Sequence, residues 1–437
     1  LRDAGRIAAA IGVLADLEER HKPARLALKT WGDASRFAGA KDRAFVSGLV
    51  LDALRRRRSL AWRMESVTAR AAVLGALRFS WDWPLARIAE AAAEEPHGPG
   101  ALSAEETQRL TTPVDLSAAP APVRGDYPDW LEPALERRFG ERRIELAQAM
   151  AVRAPVDLRA NRLKTDVDRA QKALASVGAR PAGIMADALR IPAPQASERA
   201  GAAEAEPAFA KGWFEVQDLG SQIAAAAAGD IKGRQVLDLC AGGGGKTLAL
   251  AAAMRSSGQI YAYDSEARRL ADTVKRAQRA GVRNLQVRSP SDPKALDDIV
   301  GRMDLVFADA PCTGSGTWRR HPDAKWRLSP DQLERRIAEQ DEVLSQAARF
   351  VKVRGRIVYV TCSLLAEENE DRITGFLAAH PDFAVTDAVT AIAASGLTAD
   401  DGLAALNAWR TPEGFLRLSP LGAGTDGFFV AVLERTV

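Results

Sequence analysis

Two cysteines stand where short apolar runs end. Cys312 follows DLVFADAP, and Cys362 follows RIVYVT in the segment RIVYVTCSLLAEENE, residues 356–370. A thiolate is a strong nucleophile, and thiols become reactive where a neighbouring group or a helix N-terminus favours the anion. A lone cysteine in such a place is usually a small buried apolar side chain, but two at neighbouring strand ends weaken that reading. Zinc is not expected. Cys240, Cys312 and Cys362 share no CxxC spacing, and none of the four histidines lies within ligand-pair spacing of another.

The third cysteine opens a glycine cluster in VLDLCAGGGGKT, residues 236–247, comprising Cys240, Ala241, Gly242, Gly243, Gly244, Gly245, Lys246 and Thr247. A triphosphate loop needs glycine five residues before the last glycine, and Cys240 occupies that position. An adenosine-bearing cofactor remains compatible, because glycines admit close approach of the backbone to a ligand. Asp264 ends the next apolar run, where an acidic side chain can accept hydrogen bonds from ribose hydroxyls.

Carbon chemistry on cytosine gives a thiolate a purpose. The C5 atom of cytosine is a poor nucleophile until a group adds at C6 and converts the ring to an enamine. A cysteine thiolate can make that addition, and a helix starting after Cys362 would favour its anion. Asp309, donating or sharing a proton at cytosine N3, would stabilise the charge that develops. After methyl transfer a base must take the C5 proton before the thiol leaves. Methylation of an exocyclic amine would ordinarily place an Asp/Asn-Pro-Pro-aromatic segment where Asp309 and Cys312 stand.

The elements that position these residues read as strands alternating with helices. From Trp213 onward QVLDL, QIYAYD, NLQV, DLVFAD and RIVYVT are each followed by a helical pattern, which predicts a doubly wound parallel sheet. Ligands of such sheets gather beyond the carboxyl ends of the strands. Upstream, Ile7, Ile11, Leu14 and Leu17 recur at helical spacing, as do Phe45, Leu49 and Leu54. The first part therefore reads as a helical bundle. Between Glu94 and Arg124, EEPHGPG and SAAPAPV have the composition of a linker. Beyond Trp130 come a helical stretch, a strand-like VDLRANRL, a helix near residues 167–177 and a turn at Gly178, a small α/β unit.

At 437 residues the chain exceeds what one core normally serves. The net charge is only +3, but residues 1–70 hold 15 Lys/Arg against 8 Asp/Glu, including the run from Arg55 to Arg58. Such a run suits either a phosphate backbone or a solvated helix face. No apolar run approaches a membrane span, and the N-terminus lacks the marks of a signal peptide, so a reducing cytoplasm is expected.

Together these residues resemble the RNA 5-methylcytosine methyltransferases of the RsmB (Sun/Fmu) type. The family's CAxPGGKT loop looks like residues 240–247, its DAPCSG segment like 309–314, its RRxPDxKW like 319–326 and its TCSxxxxENE like 361–370. The segments GWFEVQDLGSQ and DGFFVAVL are similar too. The resemblance implies a Rossmann-like class I methyltransferase sheet in residues 206–437. It further implies an all-α NusB-like RNA-binding domain with its linker in residues 1–125 and a small α/β RNA-binding module in residues 126–205.

The resemblance also implies roles. Cys362 is the nucleophile, Cys312 assists release of the adduct, Asp309 contacts the target base, and residues 240–246 with Asp264 hold S-adenosylmethionine, with Asp309 at the edge of that site. Asp292, in RSPSD, is the candidate for the family's acidic residue near the adenine. Gly242 and Gly243 depart from the family's usual Ala-Pro or its close variants and loosen the loop. The implied partner is RNA, foremost small-subunit (16S) ribosomal RNA, with the cytosine unpaired or flipped into the pocket, and no obligate protein partner is inferred. Transfer RNA is the alternative substrate, and an inactive ribosome-assembly factor is the alternative from another class.

Overall fold

A computed structural model describes residues 1–198 and 201–437. Two compact units emerge. The first comprises Leu1–Ala154, Ala193–Ala200 and Thr317–Leu328; the second comprises Pro155–Pro192, Gly201–Gly316 and Ser329–Val437.

The first unit is helical, as the spacing predicted. Ile7, Leu14 and Leu17 line the buried face of the helix Asp3–Arg20, and Phe45, Leu49 and Leu54 that of Ala40–Arg55. They share one core with Val73, Leu74 and Leu77 of the helix Ala69–Phe79. Phe45 meets Trp81 edge-on at 4.9 Å between ring centroids.

The stretch with linker composition departs from expectation. It contains the helix Ala104–Thr111, started by a capping box in which Ser103 accepts from Glu106 N and Glu106 accepts from Ser103 N. Leu110 of this helix is fully buried in the unit's core, worth about 2 kcal/mol of transfer free energy. The capping box satisfies the first N–H groups of this polar helix, Arg70 pairs with Glu106, and Leu110 ties it to the core.

The basic run is also largely engaged within its own unit. Arg55 is buried and pairs with Asp52, Arg57 pairs with Glu18, and Arg58 forms a fork with Asp129 at 2.6 and 3.2 Å. Arg56 is the exposed member.

The polar segment Thr317–Leu328 belongs to this unit as well. Lys325 is 2% exposed, donates to the Arg55 carbonyl at 3.1 Å, and lies over the rings of Trp326 and Trp318. Burial pushes its pKa down to about 8, against the pull of Asp126. Trp326 donates to the Leu54 carbonyl at 2.7 Å, and Asp323 accepts the first N–H of the helix Ala24–Ala34.

The second unit holds two sheets. The smaller is antiparallel, in the order β2-β3-β1-β4, from β1 (Val156–Ala160), β2 (Arg180–Pro181), β3 (Ala188–Ile191) and β4 (Phe214–Val216). The helix Val167–Ala173 is capped by Asp166, and Gly178 ends the following turn at φ 73°. Leu158, Leu189 and Phe214 centre this layer's core.

The larger sheet contains β5 (Gln235–Asp238), β6 (Gln259–Tyr263), β7 (Leu285–Arg288), β8 (Met303–Asp309), β9 (Val351–Thr361), β10 (Phe383–Thr386), β11 (Leu416–Leu418) and β12 (Phe428–Arg435). Its order is β10-β12-β9-β8-β5-β6-β7, with β11 alongside β12. The strands β5 to β9 are parallel, while β12 runs antiparallel to β9. Both faces are covered, so Val236 and Leu237, which point oppositely, are equally buried. The order reverses beside β5, where β6 lies on one side and β8 on the other, and the crevice beyond those carboxyl ends is where ligands of doubly wound sheets bind. Among the described residues no helix is long and apolar enough to cross a membrane.

Candidate active site

The strand ends flanking that crevice carry the residues singled out from the sequence. After β5 the chain turns through residues 239–244 into the helix Gly245–Met254. Gly242 and Gly244 take left-handed φ values of 54° and 83°, which glycine adopts without the Cβ clash other residues meet. A Cβ on Gly244 would sit 2.9 Å from the Thr273 side chain, whereas Gly242 faces open space. The loop is thus anchored at one glycine and open at another, a cradle that a ligand can approach closely.

Asp264, just past β6, turns inward onto this loop. Its two oxygens accept from Gly242 N at 2.9 Å and Glu266 N at 2.8 Å. A carboxylate oxygen has a second lone pair, so capacity for a ribose hydroxyl remains. The residues present therefore fit an adenosyl cofactor. Asp292 is exposed in the turn beyond β7 and caps Lys294 N at 2.9 Å; among the described residues no hydrogen bond joins it to the glycine loop.

Behind the loop lies Asp238, fully buried at the end of β5. Thr247 donates to its Oδ2 at 2.6 Å, while Oδ1 has no partner among the described residues. Burial raises its pKa to about 7, opposed by the Thr247 bond and assisted by the charge of Asp309. Burial, with the carboxylates of Asp238, Asp309 and Asp264, likewise holds the Cys240 thiol well above its usual pKa. Cys240 is thereby kept a neutral thiol and packs with the sheet core.

Asp309, the last residue of β8, is paired with Lys246, Oδ2 to Nζ at 2.6 Å. Lys246 also lies over the Phe428 ring, 5.5 Å from its centroid. Burial works to lower the Lys246 pKa, but the charge and hydrogen bond of Asp309 together with the other nearby acidic groups outweigh it, and the net shift is upward.

The two cysteines at the ends of β8 and β9 come together: Cys312 Sγ lies 3.4 Å from Cys362 Sγ. Both are half-buried and neither is in a disulfide. The hydrogen bond with Cys362, then burial, then the charges of Cys362 and Glu368 push the Cys312 thiol well above its usual pKa. One sulfur of the pair is thus biased towards the protonated form. The arrangement offers a nucleophile beside a proton-bearing thiol, with an acid–lysine pair at the neighbouring strand end.

Glu368 was not singled out from the sequence. It is fully buried in the turn after Cys362 and accepts hydrogen bonds from Thr313, Ser363 and Gln340. The only sequence signal was a carboxylate within the TCSxxxxENE segment, with nothing to show that it faces inward.

Sequence comparison decides the family. The pattern described as 16S rRNA methyltransferase RsmB/F matches residues 229–434, and that of the RsmF/B-like ferredoxin-like domain matches residues 127–198. The probable ribosomal RNA small subunit methyltransferase B of Synechocystis sp. is 31% identical over 71% of this chain and 67% of its own length. The chain belongs to the RsmB/F family of S-adenosylmethionine-dependent rRNA methyltransferases.

Other RsmB/F relatives agree. The ribosomal RNA small subunit methyltransferase B of Pectobacterium carotovorum is 31% identical over 71% of this chain and 66% of its own length, so the matched stretch spans about two thirds of these relatives. The solved structure of PH0851 shares the fold over 99% of both chains, with a TM-score of 0.72 at 24% identity. A methyltransferase homolog from Pyrococcus horikoshii aligns over 74% of this chain and 100% of its own, with a TM-score of 0.58 and 26% identity. The RsmB/F assignment agrees with the mixed architecture of helical region, ferredoxin-like layer and mostly parallel sheet.

Proposed function

We propose that this chain methylates C5 of a cytosine in 16S ribosomal RNA through a covalent cysteine adduct. The observation that carries the reading is the 3.4 Å approach of the Cys312 and Cys362 sulfurs at neighbouring strand ends, beside the Asp309–Lys246 pair. The Cys362 thiolate bonds to cytosine C6, and Asp309 holds the ring at N3, so C5 becomes nucleophilic. S-adenosylmethionine, when bound, supplies the electrophilic methyl group. Residues 240–246 and Asp264 hold it, with Asp292 the candidate near the adenine. Loss of the C5 proton then re-forms the ring double bond and expels Cys362, a release that Cys312 assists.

In the same reading, residues 1–125 and 126–205 engage RNA and residues 206–437 perform the chemistry. Three free cysteines suit a reducing cytoplasm. The test is mass spectrometry of nucleosides from unmodified ribosomal and transfer RNA, incubated separately with the protein and methyl-labelled S-adenosylmethionine. Label in 5-methylcytidine from ribosomal RNA alone supports the proposal. Label from transfer RNA alone reassigns the substrate, and no label from cofactor-binding protein contradicts the reaction.

A further inference from the structure

Glu368 occupies an unusual place relative to the two thiols. Its Oε1 accepts from Thr313 N at 2.7 Å and from Gln340 Nε2 at 3.1 Å; its Oε2 accepts from Thr313 Oγ1 at 2.6 Å and from the Ser363 hydroxyl. Thr313 directly follows Cys312, and Ser363 directly follows Cys362. Gln340, from the helix Pro330–Phe350, also donates to the Pro311 carbonyl at 2.9 Å, so Cys312 is bracketed on both sides. Four donors converge on one fully buried side chain and compensate for taking a carboxylate out of water.

The turn that carries Glu368 is itself fixed. The Tyr359 hydroxyl donates to the Glu368 carbonyl at 2.7 Å, and Asn369 Nδ2 donates to the Ser363 carbonyl at 2.9 Å. The carboxylate is therefore held from the β9 side and reaches across to the β8 side.

We propose that Glu368 is a positioning residue that clamps the Cys312 loop to the Cys362 loop and so sets the approach of the two sulfurs; the catalytic purpose of that approach rests on the function proposed above. Glu368 contacts neither thiol directly. It acts through Thr313 and Ser363, and its charge adds to the bias that keeps Cys312 protonated. Two substitutions separate geometry from charge. In Glu368→Gln the amide oxygen can take the bonds from Thr313 N and Gln340, while the amide NH2 donates to hydroxyls that rotate to accept. In Glu368→Ala the clamp is lost.

The test uses the full-length protein without RNA. Phenylarsine oxide needs two adjacent thiols, and iodoacetamide reads each thiol separately when the alkylated peptides are mapped. The clamp predicts that wild type and E368Q bridge Cys312 and Cys362 through arsenic, while E368A binds the arsenical about tenfold or more weakly, as ligands do without their supporting partners. It predicts that the pH midpoint of Cys312 alkylation falls in E368Q, because the negative charge of Glu368 has gone. Turnover in E368A should fall about a hundredfold, with affinity for S-adenosylmethionine unchanged. Unchanged arsenical affinity in E368A would overturn the proposal, whatever the alkylation midpoint. If E368A does not fold, Thr313→Val, which removes the 2.6 Å hydroxyl donor to Glu368 and keeps the side chain's shape, decides by its arsenical affinity. Since the thiol readouts need no methyl transfer, an enzyme inactive on every RNA but with these thiol results contradicts the proposed reaction and leaves the clamp standing.

Discussion

Lys246 Nζ and Asp309 Oδ2 are 2.6 Å apart, joining the glycine loop after β5 to the end of β8. Lys246→Met leaves Asp309 without its counter-charge beside Asp238 and Asp264. We expect a loss of about 2 kcal/mol in stability, below the value for a fully buried pair because Asp309 is partly exposed. Cofactor affinity should fall with it. Chemical denaturation and calorimetric titration with S-adenosylmethionine check both; unchanged values in each would show that the pair is incidental.

Asp238 makes a pH-dependent prediction. Its pKa is raised in the folded protein to about 7, so between the unfolded value and 7 the native state binds more protons than the unfolded state. Stability contributed by this group is therefore lost as pH rises from about 4 towards 7. Asp238→Asn removes that penalty and leaves an amide that can still pair with Thr247. The melting temperature of the variant relative to wild type should accordingly be higher at pH 8 than at pH 5. A difference independent of pH would mean that Asp238 is charged throughout.

The basic run predicts unequal contributions to RNA binding. Arg56 is exposed, whereas Arg55 is buried against Asp52. Arg56→Gln should reduce the slope of log affinity against log salt by about 1, as expected for one lost phosphate contact. Arg55→Gln should instead cost about 2 to 3 kcal/mol of stability by breaking a buried pair. An unaltered salt slope in Arg56→Gln assigns the exposed arginine to solubility alone.

For Cys362→Ala, turnover should fall at least about a thousandfold, because in the proposed reaction Cys362 forms the bond to C6. Cofactor affinity should stay close to wild type, since the glycine loop and Asp264 are untouched. Methyl-transfer assays and equilibrium binding measure the two effects, and retained turnover would remove Cys362 from the nucleophilic role.

What the sequence disclosed followed from periodicity and chain punctuation. The runs that became β5 to β9 are short, apolar and bounded by turn residues, so both the parallel sheet and the strand-end places of Cys240, Asp309, Cys312 and Cys362 were legible. The helix Ala104–Thr111 was obscured because prolines, glycines and alanines dominate the composition on either side of it, while a local cap and buried Leu110 hold it. Lys325 and Glu368 were harder still. A charged residue in a polar segment reads as exposed, and their burial depends on remote partners: the Arg55 carbonyl 270 positions from Lys325, and Thr313 55 positions from Glu368. No local pattern encodes such pairings.

Attack by Cys362 and release assisted by Cys312 are separated by incubating Cys312→Ala with substrate RNA and S-adenosylmethionine and resolving the products on a denaturing gel. A slower-migrating protein–RNA species is expected to accumulate in Cys312→Ala and to be absent when Cys362 is also replaced by alanine. Rapid turnover by Cys312→Ala without that species, or a shifted band that persists in the double variant, would contradict these roles.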